Sequence, residues 1–401
     1  MSALNVHEVT TILALITSIL SLSGSSLLII TILQSKKKLS VPYRRIIFGT
    51  SVFDLFQSAG LASQILMAPK GITRWSIGNT TSCEINGFFF AVGGNTIPYY
   101  LCSLCIFYFC IIRLNMKTHT FQRIEPFLHA LPIIYGFFIG IYALANKYLN
   151  YFGASSLCYL SATPPTCEMI PDQECTRGEG AMKFRIFFCD LPAMIIFVII
   201  CFIMAVIAYS AYKIEKRNQR YLISSSLSDS EHRSSLRIFS SKLSSTLKTI
   251  LQINEVHDKN NDDGLEQAPS STAVSNQTRR KLELDTSRTR ETNKQALLYV
   301  GSYVLTYGLP VTQSFYVYTT KKDPPIALFY LMNIFLPMQG FINIFIYCRP
   351  HIVSLRKRYP DEYTWFQAFK VVLKSGGDSC KVTVDNDRRQ RDENKLLIED
   401  D

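Results

Sequence analysis

Asp54 is the residue whose chemistry most needs an explanation, because it sits inside an apolar run as part of Ser51-Val52-Phe53-Asp54. Roughly twelve residues into a helix, at about 1.5 Å per residue, it falls about 18 Å deep. An ionisable group near mid-membrane costs about 2.5–3.5 kcal/mol on insertion scales, so it must face polar partners or water. Such a group serves as a buried polar switch or cation site, or is held protonated by hydroxyls as structural glue. The candidate partners are Ser51 and a polar stripe in the last apolar run, LPMQGFINIFIYCRP, Leu336–Pro350. There Gln339, Asn343 and Tyr347 recur every fourth residue, which stacks them on one helical face. A lipid-facing helix has no use for that stripe, whereas a helix packed inside a bundle does.

Other residues carry weaker signals. Arg113 closes the run CIFYFCIIR; its side chain either reaches into an inner mouth or snorkels as a stop signal. Pro310, with Gly308 beside it, removes a backbone hydrogen bond and makes either a hinge or a static kink; Pro98 and Pro192 are weaker cases of the same kind. Asn95, Tyr99, Asp190, Gln313, Tyr316 and Asn333 are polar or aromatic at outer-half depth. They line a ligand pocket or bond helix to helix, and none of them names a ligand. Cys83, Cys158, Cys167 and Cys175 lie on the expected outer side, where an oxidising exterior permits disulfides in any of three connectivities. Asn79-Thr80-Thr81 is a glycosylation acceptor on that side; the Asn276 sequon is expected to be cytosolic and unused. No zinc-type HExxH, phosphate loop or Ser-His-Asp set is present, so the expectation is a non-enzyme without cofactor or metal. His119 and His129 flank an inner loop and read as polar interface residues. The stretch Pro325–Cys348 has no Lys, so the attachment point of a retinal protein is missing.

These residues need helices to position them. The chain is 48% hydrophobic and 18% charged, with long apolar runs alternating with short basic loops, which is the membrane pattern. Spans need about 20 apolar residues, and seven are expected: about Glu8–Leu33, Pro42–Met67, Cys83–Arg113, Pro126–Ala145, Phe184–Tyr212, Lys294–Tyr318 and Pro325–Cys348. The first run is too long for a signal peptide and ends in a basic stop. Lys36–Lys38 with Arg44 and Arg45, Lys117 with Arg123, Lys213–Arg220, and Arg349 with Arg356–Arg358 all fall on one side. The excess of Lys and Arg puts that side inside. The expected fold is an all-α seven-transmembrane bundle over 8–348, with a short extracellular N-terminus (1–7) and the C-terminus in the cytosol. The Ser-rich loop 215–293 is expected to be mostly disordered, 349–360 a juxtamembrane amphipathic segment, and 361–401 a disordered tail. Around Trp365 and Phe366 that tail could lie on the membrane surface. The net charge of +11 reads as topology and affinity for an anionic leaflet, with no nucleic-acid role.

With these elements in place the chain resembles a G-protein-coupled receptor over about Glu8–Tyr359. The likeness rests on Gly24-Ser25-Ser26, Ser51–Asp54, Trp75 before Cys83, Arg113, Cys158-Tyr159, Pro310 and QGFINIFIYCRP. The last resembles the ending of secretin-like and cAMP-receptor-like families, and Asn343 and Tyr347 fall where the rhodopsin-like NPxxY motif has its Asn and Tyr. The chain departs from the rhodopsin-like pattern at several points. Ile111 and Ile112 stand where the acid of (D/E)RY is expected, Ile344 replaces a Pro, helix four has no Trp, and helix six lacks CWxP. The missing acid removes the usual basis for an ion lock on Arg113. The resemblance implies Cys83–Cys158 and Cys167–Cys175 disulfides, an extracellular ligand and a heterotrimeric G protein. It also implies an outward swing of helix six about Pro310, opening a groove lined by Arg113 and Tyr347. Asp54, Ser51 and Asn343 form the expected polar core. Kinase and arrestin-like partners at the Ser-rich loop and tail, and a plasma-membrane location, complete these expectations. The alternatives are a seven-helix channel or transporter, or a membrane-embedded enzyme.

Overall fold

A computed structural model of the chain describes residues 6–72, 74–114, 116–152, 157–165, 167, 168, 170, 173–210, 212, 213, 216, 217, 220, 271–320, 325–360 and 362–376. At 6, 7, 118, 271–289, 292 and 318 it describes the backbone alone. The helices are α1 (Val6–Gln34), α2 (Pro42–Met67), α3 (Thr80–Ile112), α4 (Glu125–Ala145), α5 (Ala181–Ser210), α6 (Ser271–Thr320), α7 (Ile326–Arg358) and α8 (Trp365–Ser375). Strands β1 (Leu149–Tyr151) and β2 (Cys158–Leu160) form an antiparallel hairpin between α4 and α5. Six of the helices, α1–α5 and α7, are long and apolar enough to cross a membrane. The seventh, α6, interleaves its apolar residues with Tyr, Thr and Ser. The result is a multi-pass, seven-helix bundle, because only a helix satisfies its own backbone in lipid.

The chain divides into two compact units, Met1–Ile207 with Lys294–Asp401, and Ala208–Asn293. Within the second, the described parts are helical, and Lys216 Nζ lies 5.9 Å from the Tyr212 ring centroid. In the first unit the helices close a ring. Contacts run from α1 to α2, from α2 to α3, from α3 to α4, and from α1 to α7. Tyr142 stacks on Phe184 to join α4 to α5, and Phe197 meets Tyr303 to join α5 to α6. Over its most apolar stretch α3 buries 72% of its residues, while α5 buries 22% and α4 28%. Thus α3 is the central helix, and α4 and α5 turn Phe127, Ile134, Phe187, Val198 and Phe202 outward, as lipid-facing helices do.

Small residues set the closest crossings. A Cβ built on Gly24 of α1 would stand 2.6 Å from the Phe341 Cα of α7, and one on Gly93 of α3 2.5 Å from the Gln57 nitrogen of α2. Neither position tolerates a side chain without separating the helices.

In two stretches the described residues are helical within segments expected to be mostly disordered. Residues 271–293 of the Ser-rich loop are helical and run into α6 without interruption. No Gly or Pro occurs between Ser271 and Val300, so a helix nucleated in the span propagates outward. The rest of that loop, 221–270, lies outside the described residues. In the tail, α8 is an ordered helix with Thr364 and Gln367 capping each other and Gly376 at φ 62° ending it. Its Phe369 and Trp365 stack on Phe345 of α7. The segment 349–358 is the end of α7 itself. Residues 377–401 lie outside the described residues.

The basic run between α1 and α2 is partly consumed inside the protein. Arg44 is buried and bonds the Ser35 hydroxyl. Arg45 grips buried Glu125 of α4 with two bonds, Nε to Oε1 at 2.5 Å and Nη2 to Oε2 at 2.6 Å. His129 Nε2 stands 3.6 Å from the same Glu125 oxygen, and its Nδ1 is 3.2 Å from the Tyr100 hydroxyl. Arg45→Ala leaves Glu125 buried without its cation, so the unfolding free energy should fall by about 3 kcal/mol. Thermal unfolding in detergent should show a clearly lower midpoint, which Arg45→Ala combined with Glu125→Gln partly restores.

Candidate functional site

The site is built from three stripes that face one another. On α2, Tyr43, Asp54 and Gln57 are inward; on α6, Tyr299, Tyr303 and Tyr307 recur every fourth residue with Thr306 beside them; on α7 stand Gln339, Asn343 and Tyr347. Antiparallel α6 and α7 pair these stripes end to end. Asn343 Nδ2 donates to Asp54 Oδ2 at 3.2 Å, and Gln339 Nε2 donates to Asn343 Oδ1 at 3.4 Å. Thr306 Oγ1 donates to Gln339 Oε1 at 2.6 Å. One relay therefore crosses α2, α7 and α6, and all four side chains are buried. Ser51 is buried beside them, but its hydroxyl returns to the Ile47 carbonyl at 2.9 Å. It is part of the α2 backbone pattern and not of the relay.

A second link depends on a break in α7. Leu336–Met338 is a 3-10 turn containing Pro337. An unbroken α-helix would join the Leu336 carbonyl to the Gly340 N–H. Here Gln57 Nε2 donates to the Leu336 carbonyl at 3.5 Å, and Gly340 N–H donates to Ser21 Oγ of α1 at 3.0 Å. The other end of the Gln57 amide accepts from the Tyr307 hydroxyl at 3.0 Å. The break is thus held from α1, α2 and α6 together. By contrast α6 runs through Pro310 as one helix, and a further departure from α geometry is a π segment in α5, Ile186–Asp190.

Towards the α8 end, Tyr347 is fully buried and stacks on Tyr43, with centroids 6.2 Å apart and 13° between planes. Gln295 of α6 donates to the Tyr43 hydroxyl at 3.0 Å. Tyr108 of α3 and Tyr299 of α6 complete this cluster, and their hydroxyls are buried without a hydrogen-bond partner among the described residues. Arg113 caps α3 in an exposed turn, and Tyr347 also meets the His351 ring, with centroids 6.1 Å apart.

At the hairpin end, disulfides Cys83–Cys158 and Cys167–Cys175 are formed. The first ties β2 to α3. Arg177 pairs with Glu84, and Glu168 accepts from the Gly180 and Met182 N–H groups at the start of α5. Tyr159 of β2 meets the Phe90 ring edge-on at 5.1 Å, and its hydroxyl accepts from Asn95 Nδ2 at 3.5 Å. Burial, with Cys189 and Asp190 nearby, holds that phenol well above its ordinary range, so it stays neutral.

Of the six residues expected to line a pocket, Asn95 and Asp190 meet at Tyr159, and Tyr99 lies by the adjoining Cys189. Asn95 bonds mainly its own helix, at the Ala91 carbonyl (2.8 Å), and Tyr99 packs on Tyr135 at 4.4 Å. Asp190 stands 3.5 Å from Arg185 in the π segment. Asn333 donates to the Phe329 carbonyl at 2.8 Å, and its own carbonyl accepts from Thr17 of α1. Tyr316 is half-buried. Gln313 alone leaves a buried amide oxygen without a partner among the described residues. Asn79 is exposed and caps α3 through Ser82, whose N–H donates to Asn79 Oδ1 at 2.9 Å. Among the described residues no cluster of His, Cys, Asp and Glu could hold a metal ion.

Gln57, Thr306, Tyr307, Tyr43 and Tyr299 were not singled out from the sequence. Two signals were available for some of them. Gln57 is one turn after Asp54, and the tyrosines of α6 repeat every fourth residue.

The fold is similar to that of squid rhodopsin, with a TM-score of 0.53 and 12% sequence identity, over 90% of this chain and 87% of that one. No protein-family model matches the chain, and no curated protein matches it in sequence. The architecture is therefore a rhodopsin-like seven-helix bundle, at an identity that speaks for fold alone.

Asn343→Ala strands the Asp54 carboxyl and Gln339 amide in the core and should cost about 1–3 kcal/mol. A double-mutant cycle with Asp54→Ala should return a coupling of about 1 kcal/mol or more. A coupling near zero would show that the relay is not an energetic unit.

Proposed function

We propose that the chain is a receptor-type signal transducer, in which an extracellular ligand controls a heterotrimeric G protein in the cytosol. The observation that carries this reading is the buried relay Asp54–Asn343–Gln339–Thr306. It spans three helices of a receptor-like bundle, midway between a disulfide-tied hairpin and a cluster of buried tyrosines. A change at either end that separates α6 from α7 must break the Thr306–Gln339 bond, so the two ends bias one equilibrium. The unpartnered hydroxyls of Tyr108 and Tyr299 each cost about 1–3 kcal/mol. An arrangement that gave them partners would regain that energy, which is the kind of bias a switch requires.

In this reading the hairpin end is extracellular. The disulfides belong to an oxidising side, and the Lys36–Lys38, Lys117, Arg123 and Arg356–Arg358 clusters to the cytosol. Tyr347, Tyr43 and Tyr299 form the element that opens, and Arg113 is an exposed contact for the partner at its rim. The α7 break at Leu336–Met338 is the hinge that joins Pro310 in permitting the motion. Kinases and an arrestin-like protein act on the Ser-rich loop and tail, Asn79 carries a glycan, and the location is the plasma membrane. Affinity to the cAMP-receptor-like and secretin-like branches is supported by QGFINIFIYCRP.

Nucleotide exchange on a panel of purified G proteins, with the chain in nanodiscs, tests the reading. Wild type should accelerate exchange on at least one of them. Asp54→Asn and Tyr347→Ala should alter the basal rate by about tenfold, the equivalent of one broken buried bond. Arg113→Ala should weaken coupling. No acceleration by wild type under any ligand tried, or three variants that match it, would sink the proposal; ion flux without any G protein would favour a channel.

A further inference from the structure

At the elbow between α7 and α8 lies a cavity of about 240 Å³ lined by Ile352, Val353, Arg356, Lys357 and Trp365. Its walls are of two kinds. Ile352 is fully buried and Val353 half-buried, whereas Arg356 and Lys357 are exposed. No acidic residue pairs with either cation among the described residues. Trp365 is held by stacking on Phe345 and Phe369, yet its indole remains 41% exposed. Next to it Phe366 is 60% exposed, and Lys370 Nζ lies 4.9 Å from its ring centroid.

Two uncompensated cations beside exposed aromatic rings at the end of a span make an unfavourable surface in water and a favourable one at a membrane boundary. Indoles settle at headgroup level, and clustered Lys and Arg attract anionic lipid. A guanidinium matches phosphate with paired bonds, and the lysine ammonium adds a second positive charge to the same wall.

We propose that this cavity binds the phosphorylated headgroup of an anionic membrane lipid, a phosphoinositide. Arg356 and Lys357 hold the phosphates, and Trp365 and Val353 face the glycerol boundary. The site rests on the membrane placement of the bundle and is independent of whether a G protein couples to it.

Trp365 supplies the readout, because the chain has 2 tryptophans and Trp75 lies in the loop between α2 and α3. Full-length Trp75→Phe protein is placed in phosphatidylcholine nanodiscs. These are doped either with phosphatidylinositol 4,5-bisphosphate or with phosphatidylserine at matched charge. Trp365 emission should shift saturably with the phosphoinositide and only weakly with phosphatidylserine. Arg356→Gln with Lys357→Gln should weaken the apparent affinity roughly tenfold or more, at about 1 kcal/mol per cation. Lys370→Gln with Lys374→Gln, which removes equal charge outside the cavity, should stay close to wild type. Equal losses in both pairs, or equal response to phosphatidylserine, reduces the effect to general surface charge and overturns the site. Free inositol trisphosphate binding as tightly as the lipid overturns the membrane assignment. The comparison of the two lipids on wild-type cations decides the matter even if the double variant fails to fold.

Discussion

A carboxyl group buried at mid-span is the constraint around which this bundle is arranged. Asp54 is buried, so it needs a donor, and the donor is Asn343 on α7. That contact sets the register of α7 against α2, and the 3.6-residue period does the rest. One turn one way, Gln339 reaches Asn343 and Thr306; one turn the other way, Tyr347 stacks on Tyr43. A stripe that would be costly in lipid becomes the surface on which three helices recognise one another.

The break in α7 at Leu336–Met338 follows from the same geometry. Pro337 cannot continue the backbone ladder, and the groups freed nearby are taken by Gln57 and Ser21. Gly24 lets α1 come close enough for that bond to form. The non-α turn is therefore fixed by three neighbours, and it adjoins the relay directly. Pro310, by contrast, leaves α6 as one helix, so irregular backbone is concentrated in α7 and α5.

Much of the candidate site was legible before folding. Asp54 had to find a polar partner, and the Gln339, Asn343, Tyr347 spacing identified where it was. Ser51 was the natural guess and is not in the relay, because a hydroxyl in a helix can satisfy itself on the carbonyl four residues back. Gln57 and the α6 tyrosines carried the same periodic signal, weakened by the low hydropathy of their surroundings. The α8 helix was written in Thr364, Gln367 and Gly376, a capping box and a helix stop, but a short helix in a polar tail is outweighed by composition. Arg113 is exposed at the end of α3, as a terminal cation drawn to solvent is.

The sequence by itself determined the number of spans, the inward stripe of α7, and the presence of a buried acid needing a partner. Those follow from local physics: the length of apolar runs, helical periodicity and the cost of burying charge. Only the tertiary structure decided which tyrosines pack on Tyr347, that Arg45 is held by Glu125, and that Asn95 and Asp190 meet at Tyr159. Each of those depends on which helix stands beside which, and at what height. Contacts between distant segments are fixed by crossing angles and small-residue approaches, such as Gly24 with Phe341, that no local pattern encodes.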